Sequence, residues 1–227
     1  MAKIGIEWVK RYHGRASNLS NTKKQAEGFY NKLAGTRSFN WGDDLAWDQD
    51  FEENGVGSPA TGTDTTWIDS VHIAFFSGHG GPTGPLFGVD TDDDGRAHHT
   101  EIRWGNMNLN WIAFDACEVL QKNGDGVFDR WRDAFQGLHI ILGFHTTCSD
   151  ESKRGRYFAE YLNDGYTVIK AWKKACKETE SSGVKWAYLR SGGGGSSVNT
   201  YNDHWHGKGW VSPDPTNTWR VYCKGSC

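Results

Sequence analysis

Short hydrophobic runs alternate along the chain with segments whose apolar residues recur every three or four positions. The runs are predicted strands, and they cover Lys3–Val9, Ser70–Phe76, Trp111–Phe114, Leu138–Phe144 and Val184–Leu189. The periodic segments are predicted helices, and they cover Thr22–Leu33, Val127–Phe135, Lys153–Leu162 and Thr167–Lys177. Strands that alternate with helices predict an α/β fold with a mainly parallel central sheet and helices on both faces.

The remaining segments are predicted to be mostly loops. Phe39–Phe51 alternates aromatic and acidic residues, which predicts a strand or an edge excursion. Glu52–Thr66 and Gly78–His99 are rich in glycine and are predicted loops. No internal repeat or change of composition divides the chain. We therefore predict a single domain over residues 1–227, with an irregular aromatic C-terminal tail from about residue 192.

Length and charge exclude several classes of protein. A chain of 227 residues fits one α/β domain. The net charge of −3 and the lack of a basic patch give no indication of a nucleic-acid or membrane partner. No apolar run approaches the roughly 18 residues of a membrane span. The oligomeric state stays open.

The five cysteines bear on redox chemistry and on location. An odd number suits one reactive thiol and up to two disulfides, for which Cys223 with Cys227 and Cys148 with Cys176 are candidates. The alternative is that all five are reduced. The first residues do not form a signal peptide. Cysteine use favours a secreted or extracytoplasmic mature form, with a cytoplasmic location as the alternative.

Two predicted strands end at a reactive side chain. One leads into Ser77-Gly78-His79-Gly80, and the next leads into Asp115-Ala116-Cys117-Glu118. The carboxyl ends of parallel strands meet at one edge of a sheet, so His79 and Cys117 are expected to lie close together. A thiol beside an imidazole makes a nucleophile and its base. Backbone amides of Gly80 and Cys117 are candidate donors to an oxyanion, which makes Gly80 part of the predicted catalytic set.

These two motifs resemble those of the caspase–gingipain–legumain clan (clan CD) of cysteine peptidases. In that clan a His followed by Gly ends one strand and a Cys ends the next, and the second motif is similar to that of legumain. The resemblance implies a caspase-like three-layer α/β/α sandwich. It also implies an endopeptidase that acts on peptides or proteins through an acyl-enzyme, without an organic cofactor. Caspases carry Gln-Ala-Cys-x-Gly, and the departure here argues against cleavage after Asp.

The resemblance also implies a specificity. An acidic residue two positions before the cysteine lines a pocket for a basic P1 side chain in some clan members, and Asp115 holds that position. We therefore predict cleavage after Arg or Lys first and after Asn second, with a purely structural role for Asp115 as the alternative. Glu118 and Ser77 are further predicted substrate-binding residues. The same acyl-enzyme could pass to an amine, which leaves a transpeptidase or ligase open.

An acidic loop between the two motifs has the spacing of a calcium site. Its pattern is D-x-D-x-D-G-x5-E, which predicts Asp90, Asp92, Asp94 and Glu101 as carboxylate ligands and Arg96 as a carbonyl ligand. We expect Ca²⁺ to order the substrate-binding side and to raise activity. The alternatives are a solvated acidic loop and, for the whole protein, a non-catalytic calcium-binding interaction domain on a caspase-like scaffold.

Overall fold

A computed structural model describes residues 1–89, 94–124, 126–193, 198–216 and 219–227. Seven strands form its central sheet: β1 (Lys3–Trp8), β2 (Thr36–Gly42), β3 (Ile73–Ser77), β6 (Trp111–Asp115), β7 (Ile140–Phe144), β8 (Lys185–Ser191) and β9 (Arg220–Ser226). Their order across the sheet is β2-β1-β3-β6-β7-β8-β9. Two further strands of two residues each, β4 (Gly80–Gly81) and β5 (Gly84–Pro85), form a separate hairpin.

The sheet is mainly parallel. The first five strands in the spatial order run parallel, and β8 and β9 join as antiparallel strands at one side. Ile4, Ile73, Trp111 and Ile140 lie in register across four neighbouring strands. Strands β3, β6 and β7 are buried at every position because both faces of the sheet are covered, which explains why they read as continuous hydrophobic runs. The predicted α/β fold with a mainly parallel sheet is confirmed.

Three helices cover one face of the sheet: α1 (Thr22–Lys32), α3 (Arg154–Asn163) and α4 (Val168–Thr179). Their apolar stripes pack on alternate strand residues, because side chains i and i+2 of a strand share a face. The ring of Phe29 in α1 stacks on Phe75 of β3 with centroids 4.8 Å apart. Trp172 in α4 meets Phe144 of β7 edge to face at 5.5 Å.

The other face carries an aromatic core under loops. Its buried rings belong to Phe51, Phe76, Phe87, Trp104, Phe114 and Trp131. Among the described residues, the only α-helix on this face is α2 (Gly126–Trp131). The third layer of the predicted sandwich therefore consists largely of loops and short 3-10 turns. The indoles serve this loop layer as donors, since Trp104 Nε1 donates to the Phe51 carbonyl at 2.9 Å and Trp131 Nε1 donates to the Val119 carbonyl at 3.0 Å.

Two local predictions differ from the structure. Phe39–Phe51 is a strand only up to Gly42, after which the chain forms 3-10 turns at Asp43–Leu45 and Asp48–Phe51. The C-terminal tail is not irregular to its end, because Arg220–Ser226 pairs with β8 as the edge strand β9. One side of an edge strand is open, so β9 is held by backbone hydrogen bonds without the buried apolar pattern that would identify it in the sequence. No helix in the described ranges is long and apolar enough to cross a membrane.

Candidate functional site

His79 and Cys117 lie at the carboxyl edge of the sheet, each two residues beyond the end of its strand. Ser77 of β3 is in register with Asp115 of β6, and the Gly78 amide donates to the Asp115 carbonyl at 3.2 Å. The two chains therefore leave the sheet side by side. His79, Cys117, Ser77 and Asp115 all line one pocket of about 60 Å³.

The segment that follows β1 holds His79 in place. The His79 amide donates to the Tyr12 hydroxyl at 2.6 Å, and the two rings lie 4.7 Å apart. The imidazole Nε2 lies 2.8 Å from the Ser17 carbonyl oxygen, so Nε2 carries the proton and donates it there. This hydrogen bond leaves Nδ1 as the basic nitrogen.

Cys117 is hydrogen-bonded to Cys148, which lies four residues beyond the end of β7. The Cys148 amide donates to Cys117 Sγ at 3.2 Å, and the two sulfur atoms are 3.6 Å apart. The hydrogen bond from the Cys148 thiol, helped by its backbone amide, lowers the pKa of Cys117 to about 7 against the opposing effect of burial. The same contact, with burial, raises the pKa of Cys148 well above its usual value. Cys117 is therefore the thiol of the pair that ionises near neutral pH.

The turn after β6 packs against the hairpin that follows His79. A Cβ on Gly80 would lie 2.9 Å from the Ala116 Cβ and 2.9 Å from the Val119 Cγ2, so this position has no room for a side chain. Glu118, the residue after Cys117, has a left-handed backbone with φ of 59°. Strained backbone of this kind clusters at functional sites. The Glu118 side chain accepts from Gln121 and is not part of the lining of the pocket.

Asp115 is part of a buried ionic group. One of its carboxylate oxygens, Oδ1, accepts a hydrogen bond from Arg154, which also binds Glu180 and lies over the Phe144 ring. Burial raises the pKa of Asp115 to about 6, and the Arg154 guanidinium opposes that rise. The other oxygen, Oδ2, is buried and has no hydrogen-bond partner. Asp115 therefore makes a structural contact through one oxygen, while its other buried oxygen has no partner.

The predicted calcium ligands are described only in part. Asp90 and Asp92 lie outside the described residues. The Asp94 carboxylate accepts from the Arg96 amide at 2.8 Å, while Glu101 accepts through its carbonyl from another loop. No group of three or more His, Cys, Asp or Glu side chains within the described ranges could hold a metal ion. The calcium site stays a prediction.

The two predicted disulfides are absent, since all five cysteines are free thiols. Cys223 and Cys227 are four residues apart at an extended strand, a separation of about 13 Å that exceeds the reach of a disulfide. Cys148 faces Cys117, and Cys176 is hydrogen-bonded to Cys227 instead. Both predicted pairings were wrong because partners in this fold come from different strands and helices, which spacing along the chain does not reveal.

Sequence reasoning also missed the residues that position the pair. They are Tyr12, Ser17, Cys148 and Asp150. Asp150 accepts from the amides of Ser20 and Asn21 at the start of α1, at 2.5 and 3.1 Å, and so ties the Cys148 loop to that helix. Cys148 could have been found, because it follows a predicted strand just as His79 and Cys117 do.

Comparison with known protein families identifies the family to which the chain belongs. Residues 6–225 match the family described as a domain of unknown function, DUF6345. The chain belongs to the DUF6345 family. No curated protein matches the DUF6345 chain.

One solved structure that matches is a secreted C11 cysteine protease from Bacteroides thetaiotaomicron, in complex with an irreversible peptide inhibitor. The sequences are 11% identical and the TM-score is 0.48. The match covers 83% of the DUF6345 chain, which spans 66% of that protein, just under two thirds of its length.

Proposed function

We propose that this DUF6345 chain is a cysteine peptidase in which Cys117 is the nucleophile and His79 is the acid–base group. One observation carries the proposal: a thiol with a pKa lowered to about 7 and an imidazole with a free Nδ1 line the same pocket. Near pH 7 about half of Cys117 is the thiolate, which is the nucleophilic form. His79 Nδ1 is the base for the remaining thiol and the acid for the leaving amine.

The reaction proceeds in two stages. His79 Nδ1 takes the proton of the Cys117 thiol, and the resulting thiolate attacks the scissile carbonyl. The amine leaves with that proton from His79, and the acyl group stays on Cys117 as a thioester. Water, deprotonated by His79, then releases the acid. The Cys117 amide has no backbone acceptor in the described part of the chain, which supports its use as a donor to the oxyanion. Capture of the same thioester by an amine would make the enzyme a transpeptidase.

The contact between Asp115 and Arg154 changes the proposed specificity. A substrate Arg or Lys would have to share Asp115 with a guanidinium that already holds it. The pocket of about 60 Å³ has room for about two water molecules, which is small for a long basic side chain. The unpartnered Oδ2 can accept a hydrogen bond from an amide. We therefore place Asn first and Arg or Lys second at P1, which reverses the order expected from the sequence.

Active-site labelling tests the nucleophile. Acyloxymethyl-ketone probes that carry Asn or Arg are expected to label the wild type, with calcium present, and not the Cys117→Ala variant. Cys223→Ala removes a half-exposed thiol outside the pocket and should label as the wild type does. Equal labelling of wild type and Cys117→Ala, or no labelling of either, would favour the non-catalytic interaction domain.

Peptides that differ only at P1 test the specificity separately. We expect the kcat/KM for Asn to exceed that for Arg and Lys. A clear preference for Arg would restore the original order and would show that Asp115 recognises a cation despite Arg154. A preference for Asp or for a large apolar residue would contradict both orders.

A further inference from the structure

A second pocket, separate from the Cys117 site, has walls of tryptophan. It has a volume of about 230 Å³ and lies at the edge strand β2, with Trp41, Trp47, Trp67 and Leu45 around it and Asp50 and Thr63 among its polar residues. The rings of Trp41 and Trp67 lie 5.3 Å apart at an angle of 86°, so two aromatic planes meet nearly at a right angle. This is a preformed concave aromatic surface.

Two apolar side chains of this pocket are left open to solvent. Trp47 is 39% exposed and Leu45 is 62% exposed, although both could gain free energy by burial. They lie next to each other around the pocket, unlike isolated apolar residues on a protein surface. Clustered exposed apolar side chains of this kind indicate a binding surface.

A carboxylate lines the same pocket. Asp50 is 4% exposed, and its Oδ1 accepts from the Thr63 hydroxyl at 3.0 Å. Burial raises the pKa of Asp50 to about 6, so the group is ionised at neutral pH. No basic side chain in the described part of the chain forms an ion pair with Asp50. The negative charge therefore has no cationic partner in the described residues.

Two further acids, Glu7 and Asp48, interact electrostatically with Asp50. Glu7 on β1 is fully buried, and burial with the charges of Asp50 and Asp48 raises its pKa well above the usual range. A protonated Glu7 is neutral, so the negative charge of the two acids stays on Asp50. Asp48 also raises the pKa of Asp50.

We propose that this tryptophan pocket binds an organic cation that carries a methylated ammonium group. Such a cation is weakly hydrated, so it can leave water for apolar walls, and the negative faces of indole rings attract it. Asp50 provides the opposite charge. A bare ammonium is less suited, because it is strongly hydrated and the walls offer few hydrogen-bond acceptors. The proposal is independent of the peptidase chemistry.

Choline and its neutral carbon isostere, 3,3-dimethylbutan-1-ol, form a matched pair of probes. Titration calorimetry at constant ionic strength, with sodium chloride as the balancing salt, is expected to show choline binding at least about tenfold tighter than the alcohol. Trp47→Ala should weaken choline binding by about 5- to 30-fold. Trp210→Ala removes an indole that is 55% exposed elsewhere and should leave binding unchanged. Asp50→Asn should weaken choline binding and leave binding of the alcohol unchanged.

Three results would overturn the proposal. Equal affinity for choline and the alcohol would show an apolar cavity without recognition of charge. Choline binding by folded Asp50→Asn equal to that of the wild type would remove the carboxylate from the interaction. The absence of any choline binding by the wild type would show that the pocket does not take this class of cation. A melting curve of each variant establishes that it is folded, and Trp47→Ala provides a second variant if Asp50→Asn is not.

Discussion

Replacing Arg154 by Met leaves two buried carboxylates without their cation. The guanidinium of Arg154 is fully buried and bridges Asp115 and Glu180, whose side chains are 1% and 3% exposed. Met has a similar length and no charge, so it fills much of the same space. The change thus removes the charge interaction while it preserves most of the packing over Phe144.

The expected cost at pH 7.5 is about 3–5 kcal/mol in the free energy of unfolding, which is the range for breaking one side of a buried ion pair. For a chain of 227 residues, each kcal/mol lowers the melting temperature by about 2–4 °C. The variant should therefore melt about 6–20 °C below the wild type. A matched control is Lys174→Met, which breaks an exposed pair with Glu178 and should leave stability nearly unchanged.

The cost should depend on pH. Burial raises the pKa of Asp115 to about 6, and Arg154 opposes that rise, so the pKa rises further in the variant. An acid with a raised pKa binds more protons in the folded than in the unfolded protein, so stability falls as pH rises through that pKa. The difference between Arg154→Met and wild type is therefore expected to shrink between pH 7.5 and pH 5, where the protonated carboxyl needs no cation.

Urea unfolding followed by tryptophan fluorescence at both pH values measures this difference. Our reasoning fails if Arg154→Met costs no more than Lys174→Met at pH 7.5. It also fails if the cost grows as pH falls. Either result would mean that water or another cation compensates Asp115, and the specificity argument that rests on the Arg154 contact would fail with it.

Three other measurements follow from the site and the loop beside it. The rate of Cys117 alkylation by iodoacetamide should rise with pH with a midpoint of about 7. Cys148→Ala should move that midpoint upward, because it removes the hydrogen bond that is the main cause of the lowered Cys117 pKa. An unchanged midpoint would show that Cys148 does not lower the pKa of Cys117. Tyr12→Phe leaves the partly buried His79 amide without its acceptor, and it should cost about 1 kcal/mol or more in stability and lower kcat. Full activity with normal stability would show that the contact is dispensable. Chelation of calcium should lower both activity and melting temperature, and magnesium should not restore them. If neither changes, the acidic loop is a solvated loop without a bound calcium ion.

The placement of His79 and Cys117 follows from the sequence because it depends on only two local properties. Each residue follows a short hydrophobic run, and such runs form neighbouring buried strands in a parallel sheet. The edge of the sheet then brings the two ends together. The position of Cys148 follows from the same rule, but Cys148 was considered only as a candidate partner of Cys176 in a disulfide.

The setting of Asp115 could not be predicted in this way. Its partner Arg154 begins α3, 39 residues further along the chain, and reaches the site only because that helix packs on the sheet. Nothing in the local pattern of either segment indicates an interior cation. The edge strand β9 was missed for a related reason, since edge pairing depends on backbone groups that every residue carries.

The close contact at Gly80 packs the segment that follows His79 directly against the turn that carries Cys117. With no space between Gly80 and the turn that carries Cys117, the hairpin β4–β5 cannot slide along that turn. His79 is therefore fixed from three directions, by β3 before it, by the hairpin after it and by the Tyr12 segment at its side. The spacing of His79 and Cys117 is therefore set by the loops that flank them as well as by the sheet.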